Sequence, residues 1–174
     1  MKVFINPGHA PNGNPDPGAC GCGLRESDVA ASVGGLVQTY LDAAGCTTRL
    51  LQADSLREIS GTANAWEADV FVSIHCNSAG TDKAQGTETF CYPYSSNGRA
   101  LAKCIQRQIV CSLPVIDRGV KEADWHVCRE TNMPAVLVEL AFINNPRDAE
   151  MLRARQDDFA RAIARGVTDY EAGI

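Results

Sequence analysis

Four side chains break the pattern of the segments that hold them, and such breaks are where function tends to sit. His9 closes the short apolar run Lys2-Val3-Phe4-Ile5-Asn6 after Pro7-Gly8, and His75 ends the unbroken run Val70-Phe71-Val72-Ser73-Ile74. Glu139 lies inside Val136-Leu137-Val138-Glu139-Leu140-Ala141-Phe142, where an ionised carboxylate is costly unless a cation meets it. Glu26 opens a helical pattern directly after the loop that begins at His9. Two imidazoles and a carboxylate are a common protein set for a catalytic zinc with a fourth position left for water. In that arrangement Zn²⁺ polarises a carbonyl and brings the pKa of water to about 7, and Glu139 shuttles a proton to the leaving group. Spacing alone leaves the question open, because 66 residues separate His9 from His75. Histidines satisfied in a core, a first-turn glutamate favoured by the helix dipole and a buried glutamate paired with Arg or Lys give the same pattern.

The elements that must position these residues alternate between strand and helix. Strands are predicted over Lys2–Asn6, Thr47–Gln52, Val70–His75, Gly86–Tyr92, Val120–Cys128 and Ala135–Phe142. Helices are predicted over about Glu26–Ala44, with Gly45 as the stop, and over Ser55–Ala68, Asn97–Ser112, Pro146–Arg153 and Asp157–Tyr170. The segment from Gly8 to Arg25 carries most of the turn chemistry and reads as a loop. This alternation argues a single α/β domain over residues 1–174, with a mostly parallel sheet and helices on both faces. In open sheets of this kind ligands gather at the carboxyl ends of the strands, which is where His9 and His75 fall.

A chain of 174 residues, 45% apolar and 21% charged, buries enough surface to need no disulfide staple. Its net charge of −5 gives no bulk pull towards nucleic acid or an anionic membrane, and no apolar run is long enough to span a bilayer. The apolar stretch after Met1-Lys2 ends within a few residues, so no secretory leader is expected. Eight cysteines are many for this length, yet most sit inside apolar patterns where Cys acts as a small hydrophobe, and reduced, buried thiols are expected. Cys20 and Cys22 differ, lying in the loop between His9 and Glu26, where a metal or redox role has to be weighed.

Several blocks in order resemble the zinc-dependent N-acetylmuramoyl-L-alanine amidases of the amidase-3 type. The opening is Asn6-Pro7-Gly8-His9, then Asp16-Pro17-Gly18-Ala19 and Glu26. The middle is Ala63-Asn64, Ser73-Ile74-His75-Cys76-Asn77-Ser78 and Gly86-Thr87-Glu88-Thr89. The last block is Arg118-Gly119-Val120-Lys121, Met133 to Glu139, and Phe142-Ile143-Asn144-Asn145. The resemblance runs from Lys2 to about Tyr170. It implies a twisted sheet of about six strands, zinc held by His9, Glu26 and His75, and Glu139 as the catalytic glutamate. It also implies the reaction: hydrolysis of the amide joining N-acetylmuramic acid to L-alanine in peptidoglycan, with Glu139 passing a proton to the alanine nitrogen. Ile59 stands where the family often has Arg, Ala141 where it usually has Gly, and Cys76 where it has a small Ala, and none of these is a matched ligand.

The implied partner is a muramyl peptide of the bacterial cell wall, met outside the cytoplasm. With no leader expected, a phage lysin, another export route or an excised domain would bring the chain there. A monomer is favoured. A zinc peptidase cutting within the stem, a wall-binding module without turnover and a cysteine-based redox protein are the competing readings. His126 reads as an ordinary strand-surface histidine and Lys121 and Arg129 as solvated strand ends, although each could face a stem peptide.

Overall fold

The structure is a computed structural model and describes residues 1–174. Strand β1 (Lys2–Pro7) leads into a turn-rich segment that carries a small antiparallel ribbon, β2 (Cys20–Gly21) with β3 (Leu24–Arg25). There follow α1 (Glu26–Ala43), β4 (Thr47–Leu50), α2 (Leu56–Ala65), β5 (Val70–Asn77) and β6 (Thr87–Cys91). The remainder is α3 (Ser96–Ser112), β7 (Asp117–Glu122), α4 (His126–Arg129), β8 (Ala135–Phe142), α5 (Pro146–Ala154) and α6 (Gln156–Ala172). Six strands form one sheet in the order β4-β1-β5-β8-β6-β7. All neighbours run parallel except β6 and β8, which are antiparallel.

The α/β class, the mostly parallel sheet and helices on both faces agree with the sequence reading. One boundary does not. The predicted strand Val120–Cys128 is two elements: β7 starts earlier, at Asp117, and α4 begins at His126. An edge strand beside a single neighbour tolerates the polar Asp117-Arg118-Gly119 start, which a pattern search for apolar residues passes over.

Alternation along the strands divides the interior into two cores. Val3, Ile5, Val70, Val72, Ile74, Val136, Val138 and Leu140 face the larger one, a cluster of 29 buried residues shared with α1, α3 and α6. Phe4, Phe71, Ala135 and Leu137 face the smaller one, nine buried residues under α2 and α4. The close approach of α3 and α6 depends on Gly166, where a Cβ would fall 2.5 Å from the Ile105 Cα. All eight cysteines are free thiols. Cys46, Cys76, Cys91 and Cys128 are buried, while Cys20, Cys22 and Cys111 are exposed, so burial holds for half of them rather than most.

Candidate metal centre

On the face of the smaller core the strands turn polar towards one end. Asn6 follows Phe4 on β1, and Ser73 and His75 follow Phe71 on β5. On β8, Glu139 follows Leu137. The register sets His75 beside Glu139 across β5 and β8. His9 stands just past β1 at a positive φ of 64°, a conformation that turns the chain back over the sheet. Glu26 is the first residue of α1, where the helix N-terminus favours a negative charge.

These elements bring His9, Glu26 and His75 together, with one ligand atom of each within 4.8 Å of the others. Glu26 Oε1 lies 3.0 Å from His9 Nε2 and 2.9 Å from His75 Nδ1. The carboxylate is oriented by the backbone as well: the Ala19 N–H donates to Oε2 at 2.7 Å and the Cys76 N–H to Oε1 at 3.0 Å. His9 is fixed from behind, its Nδ1 donating to Asp16 Oδ2 at 2.7 Å, and Asp16 is itself held by the Gly18 N–H at 2.9 Å. Two glycines leave the room. A Cβ at Gly8 would lie 2.3 Å from His75 Cε1, and one at Gly18, where φ is +68°, 2.4 Å from His9 Cδ2.

The charges follow from this geometry. Burial disfavours charge on Glu26, yet hydrogen bonds from His75 and His9 outweigh it and hold the carboxyl far below the usual range. Burial likewise works against the His9 cation, but Glu26 and Asp16 prevail and push its pKa up to about 9. Glu139 is the opposite case. Its residue is partly exposed, but Oε2 is buried without a hydrogen-bond partner, and burial with the nearby Glu26 and Glu88 carboxylates pushes its pKa up to about 8. It has no Arg or Lys partner, so the ion-paired alternative fails for this residue.

A nitrogen from each of two imidazoles and a carboxylate oxygen, converging with the outer atoms of His9 and Glu26 already hydrogen-bonded, suit a zinc ion. The exposed Cys20 and Cys22 do not join this cluster. Sequence reasoning missed two residues that shape the site. Asp16 reads as turn chemistry and as part of the family-like Asp16-Pro17-Gly18-Ala19 block, with no contact to His9 assigned to it. Glu88 accepts from Asn77 Nδ2 at 2.7 Å and from Arg118 Nε at 2.6 Å, pairs with Lys121, and lies opposite Glu139 in the register of β6 and β8. Glu88 stands between Thr87 and Thr89 and lacks the apolar contrast that marks Glu139, so its place in the family-like Gly86-Thr87-Glu88-Thr89 block was the only available signal. Lys121 is therefore a partner of Glu88, and Arg129 pairs with Asp124 and Glu130. His126, expected on a strand surface, starts α4 and lines the cavity that holds the His/Glu/His cluster.

The family profile described as N-acetylmuramoyl-L-alanine amidase matches residues 3–169. The chain is 42% identical over 176 residues to the uncharacterised protein YqiI of Bacillus subtilis (strain 168), covering 97% of this chain and 84% of that one. It is 38% identical over 176 residues to the N-acetylmuramoyl-L-alanine amidase LytC of the same strain, covering 97% of this chain. It spans only 35% of LytC's length. Among solved structures, N-acetylmuramoyl-L-alanine amidase AmiC2 of Nostoc punctiforme superposes with a TM-score of 0.91 at 33% identity, over 99% of this chain and 97% of that one. The chain belongs to the amidase-3 family of N-acetylmuramoyl-L-alanine amidases.

Proposed function

We propose that residues 1–174 act as one catalytic domain that hydrolyses the amide between N-acetylmuramic acid and L-alanine in bacterial peptidoglycan. In this reading His9 Nε2, Glu26 and His75 Nδ1 hold a zinc ion and Glu139 is the general acid–base. The observation that carries it is the pairing of the converged His/Glu/His donors with the buried, unpartnered Oε2 of Glu139 on the neighbouring strand.

Bound zinc supplies Lewis acidity towards the amide carbonyl and makes water acidic enough to attack near neutral pH. The chain's own groups do the rest. His9, His75 and Glu26 fix the geometry, and Asp16 keeps the His9 ring turned so that Nε2 faces the centre. Ionised by the charge of a cation held at the three ligands, Glu139 Oε2 would take the proton that the attacking water loses and return it to the alanine nitrogen as the carbon–nitrogen bond breaks. The products are a lactyl carboxylic acid on the sugar and an L-alanine amine, which settle as carboxylate and ammonium by passing one proton between them, so the proton count closes without another group.

Digestion of purified peptidoglycan followed by mass spectrometry tests the reading. New L-alanine amino termini without new reducing ends are expected, with turnover lost to a chelator and regained on adding Zn²⁺. An amine freed inside the stem would instead make the chain a zinc peptidase. Sedimentation with walls and no released product would make it a binding module.

A further inference from the structure

Resting on the amidase reading, we propose that the cavity wall away from the His/Glu/His cluster is the sugar subsite, where the Trp125 indole stacks on the pyranose ring of the muramic residue. The cavity, about 490 Å³, runs from the cluster past Glu139 and Leu137 to Leu56, Trp125 and His126. Leu56 is 50% exposed and Trp125 45%, two of only five large apolar side chains that the chain leaves to solvent. Both stand on this wall, an exposed apolar pair where a ligand would cover it.

Trp125 is fixed rather than loose. It caps the N-terminus of α4, and its ring meets Phe90 at a centroid distance of 6.1 Å and 80°. An edge-to-face contact of this kind occupies at most one face of the indole. Polar groups flank it: Asp54 on the same wall, and His126, whose Nε2 is 3.4 Å from Ser60 Oγ. An aromatic face with a few hydrogen-bonding groups beside it suits a pyranose, whose ring presents C–H bonds on its face and hydroxyls at its rim.

Charge decides between sugar and peptide. Away from the His/Glu/His cluster, its Asp16 partner and Glu139, the lining holds one carboxylate, Asp54, and no Lys or Arg, so this wall offers a stem carboxylate no cation and suits the uncharged partner of the amide bond. Cations lie elsewhere on the same sheet face. Arg118 and Lys121 share the single carboxylate of Glu88, beyond β8 on β6 and β7, which leaves a net positive charge there. The neutral sugar therefore takes the Trp125 wall, and the carboxylate-bearing stem points away towards Arg118 and Lys121.

Two substrates separate the sugar from the rest. On N-acetylmuramoyl-L-alanyl-D-isoglutamine, Trp125→Ala in the zinc-loaded full chain is expected to lower kcat/KM about tenfold, and on the sugarless D-lactoyl-L-alanyl-D-isoglutamine less than about twofold. Trp125→Phe, which keeps a ring, should recover most of the loss. Equal losses on both substrates would overturn the assignment. A second measurement does not need turnover. In a Trp66→Phe background, where Trp125 is the one indole left, titration with the methyl ester of N-acetylmuramic acid should change the fluorescence saturably. If the wild type cleaves neither substrate the amidase reading fails, and the titration then decides the subsite by itself, a flat response overturning it.

Discussion

The two faces of the sheet are covered unequally, and the His/Glu/His cluster and Glu139 are on the thin side. Helices α1, α3 and α6, 17 or 18 residues each, close over one face and seal 29 buried residues. The other face has α2, of ten residues, and α4, of four, over nine. The same strands serve both faces, so the difference lies in alternate positions. On the thick side Val, Ile and Leu continue to the strand ends. On the thin side Phe71 gives way to Ser73 and His75, and Leu137 to Glu139. Where the apolar pattern stops, the helical cover stops, and the cavity opens. The thick face carries stability and leaves the thin face free to hold groups that stability alone would not select.

Removing the proposed acid–base group sharpens that contrast most. Glu139→Gln should lower kcat by about 10³-fold while leaving one zinc per chain, since Glu139 is not among the three converged donors. Its thermal midpoint at neutral pH should not fall, because the amide keeps the shape of the carboxyl and removes the cost of holding it protonated in the folded state. A midpoint several degrees lower would mean that Glu139 is a structural group after all.

The same residue shapes the pH response of the metal-free chain. Folded Glu139 keeps its proton up to about pH 8, whereas the unfolded carboxyl has lost it above its ordinary value of 4.5. The folded state thus binds more protons over that span, and stability falls as pH rises through it. His9 acts in the same direction between its ordinary 6.5 and about 9, its contribution being full below the lower value and lost above the upper. Glu26 acts oppositely, contributing above the ordinary carboxyl range and losing that contribution as pH falls. Denaturant titrations of the zinc-free chain should show stability declining from pH 5 to 9, by roughly a few kcal/mol. In Glu139→Gln the decline should begin only near pH 6.5. A wild-type profile flat from pH 5 to 9 would contradict the burial of Glu139.

Two glycines test the faces separately. Gly166→Ala pushes a methyl into the Ile105 backbone on the thick side and should cost about 1–3 kcal/mol, with turnover per folded molecule unchanged. Gly8→Ala pushes one into the His75 ring and should weaken zinc binding with much less effect on unfolding. If both variants lost stability and zinc alike, the faces would not be separable. Asp16→Asn is gentler: the amide keeps the shape but loses the charge that fixes the His9 ring. Zinc affinity measured against a competing chelator should drop about 10–100-fold.

How much of this was legible follows the physics of each segment. Strands β1, β5 and β8 could be read because strands buried on both faces are continuous apolar runs, and His75 and Glu139 stood out against them. The start of β7 could not, since an edge strand has no apolar requirement at Asp117-Arg118-Gly119. Four residues of α4 are too few to show a helical period, which is why His126 was placed on a strand. Asp16 and Gly18 sit in a segment where every residue type also serves a turn, so their contact with His9 has no local signature. Convergence is a tertiary fact: spacing along the chain gave no reason for residues 9, 26 and 75 to meet, and the order of family-like motifs supplied it.

The smallest expected effect concerns the segment that joins the site to α1. Cys20 and Cys22 lie on the turn between Gly18, whose missing Cβ leaves room for His9, and Glu26, close enough in sequence to invite a metal role. Yet the backbone donor that this loop gives Glu26 is the Ala19 N–H, and the exposed thiols lie outside the converged cluster. What the loop contributes is its path: the Cys20–Gly21 and Leu24–Arg25 ribbon returns the chain to the helix start. A Cys20→Ser, Cys22→Ser double variant keeps that path, since Ser differs from Cys by one atom and neither thiol is buried. Zinc stoichiometry should stay at one, and unfolding free energy should change by less than about 0.5 kcal/mol. A second zinc lost from the wild type on this substitution would place a thiolate site on the thin face and end the simple division between a covered, structural side and an open side with a single metal.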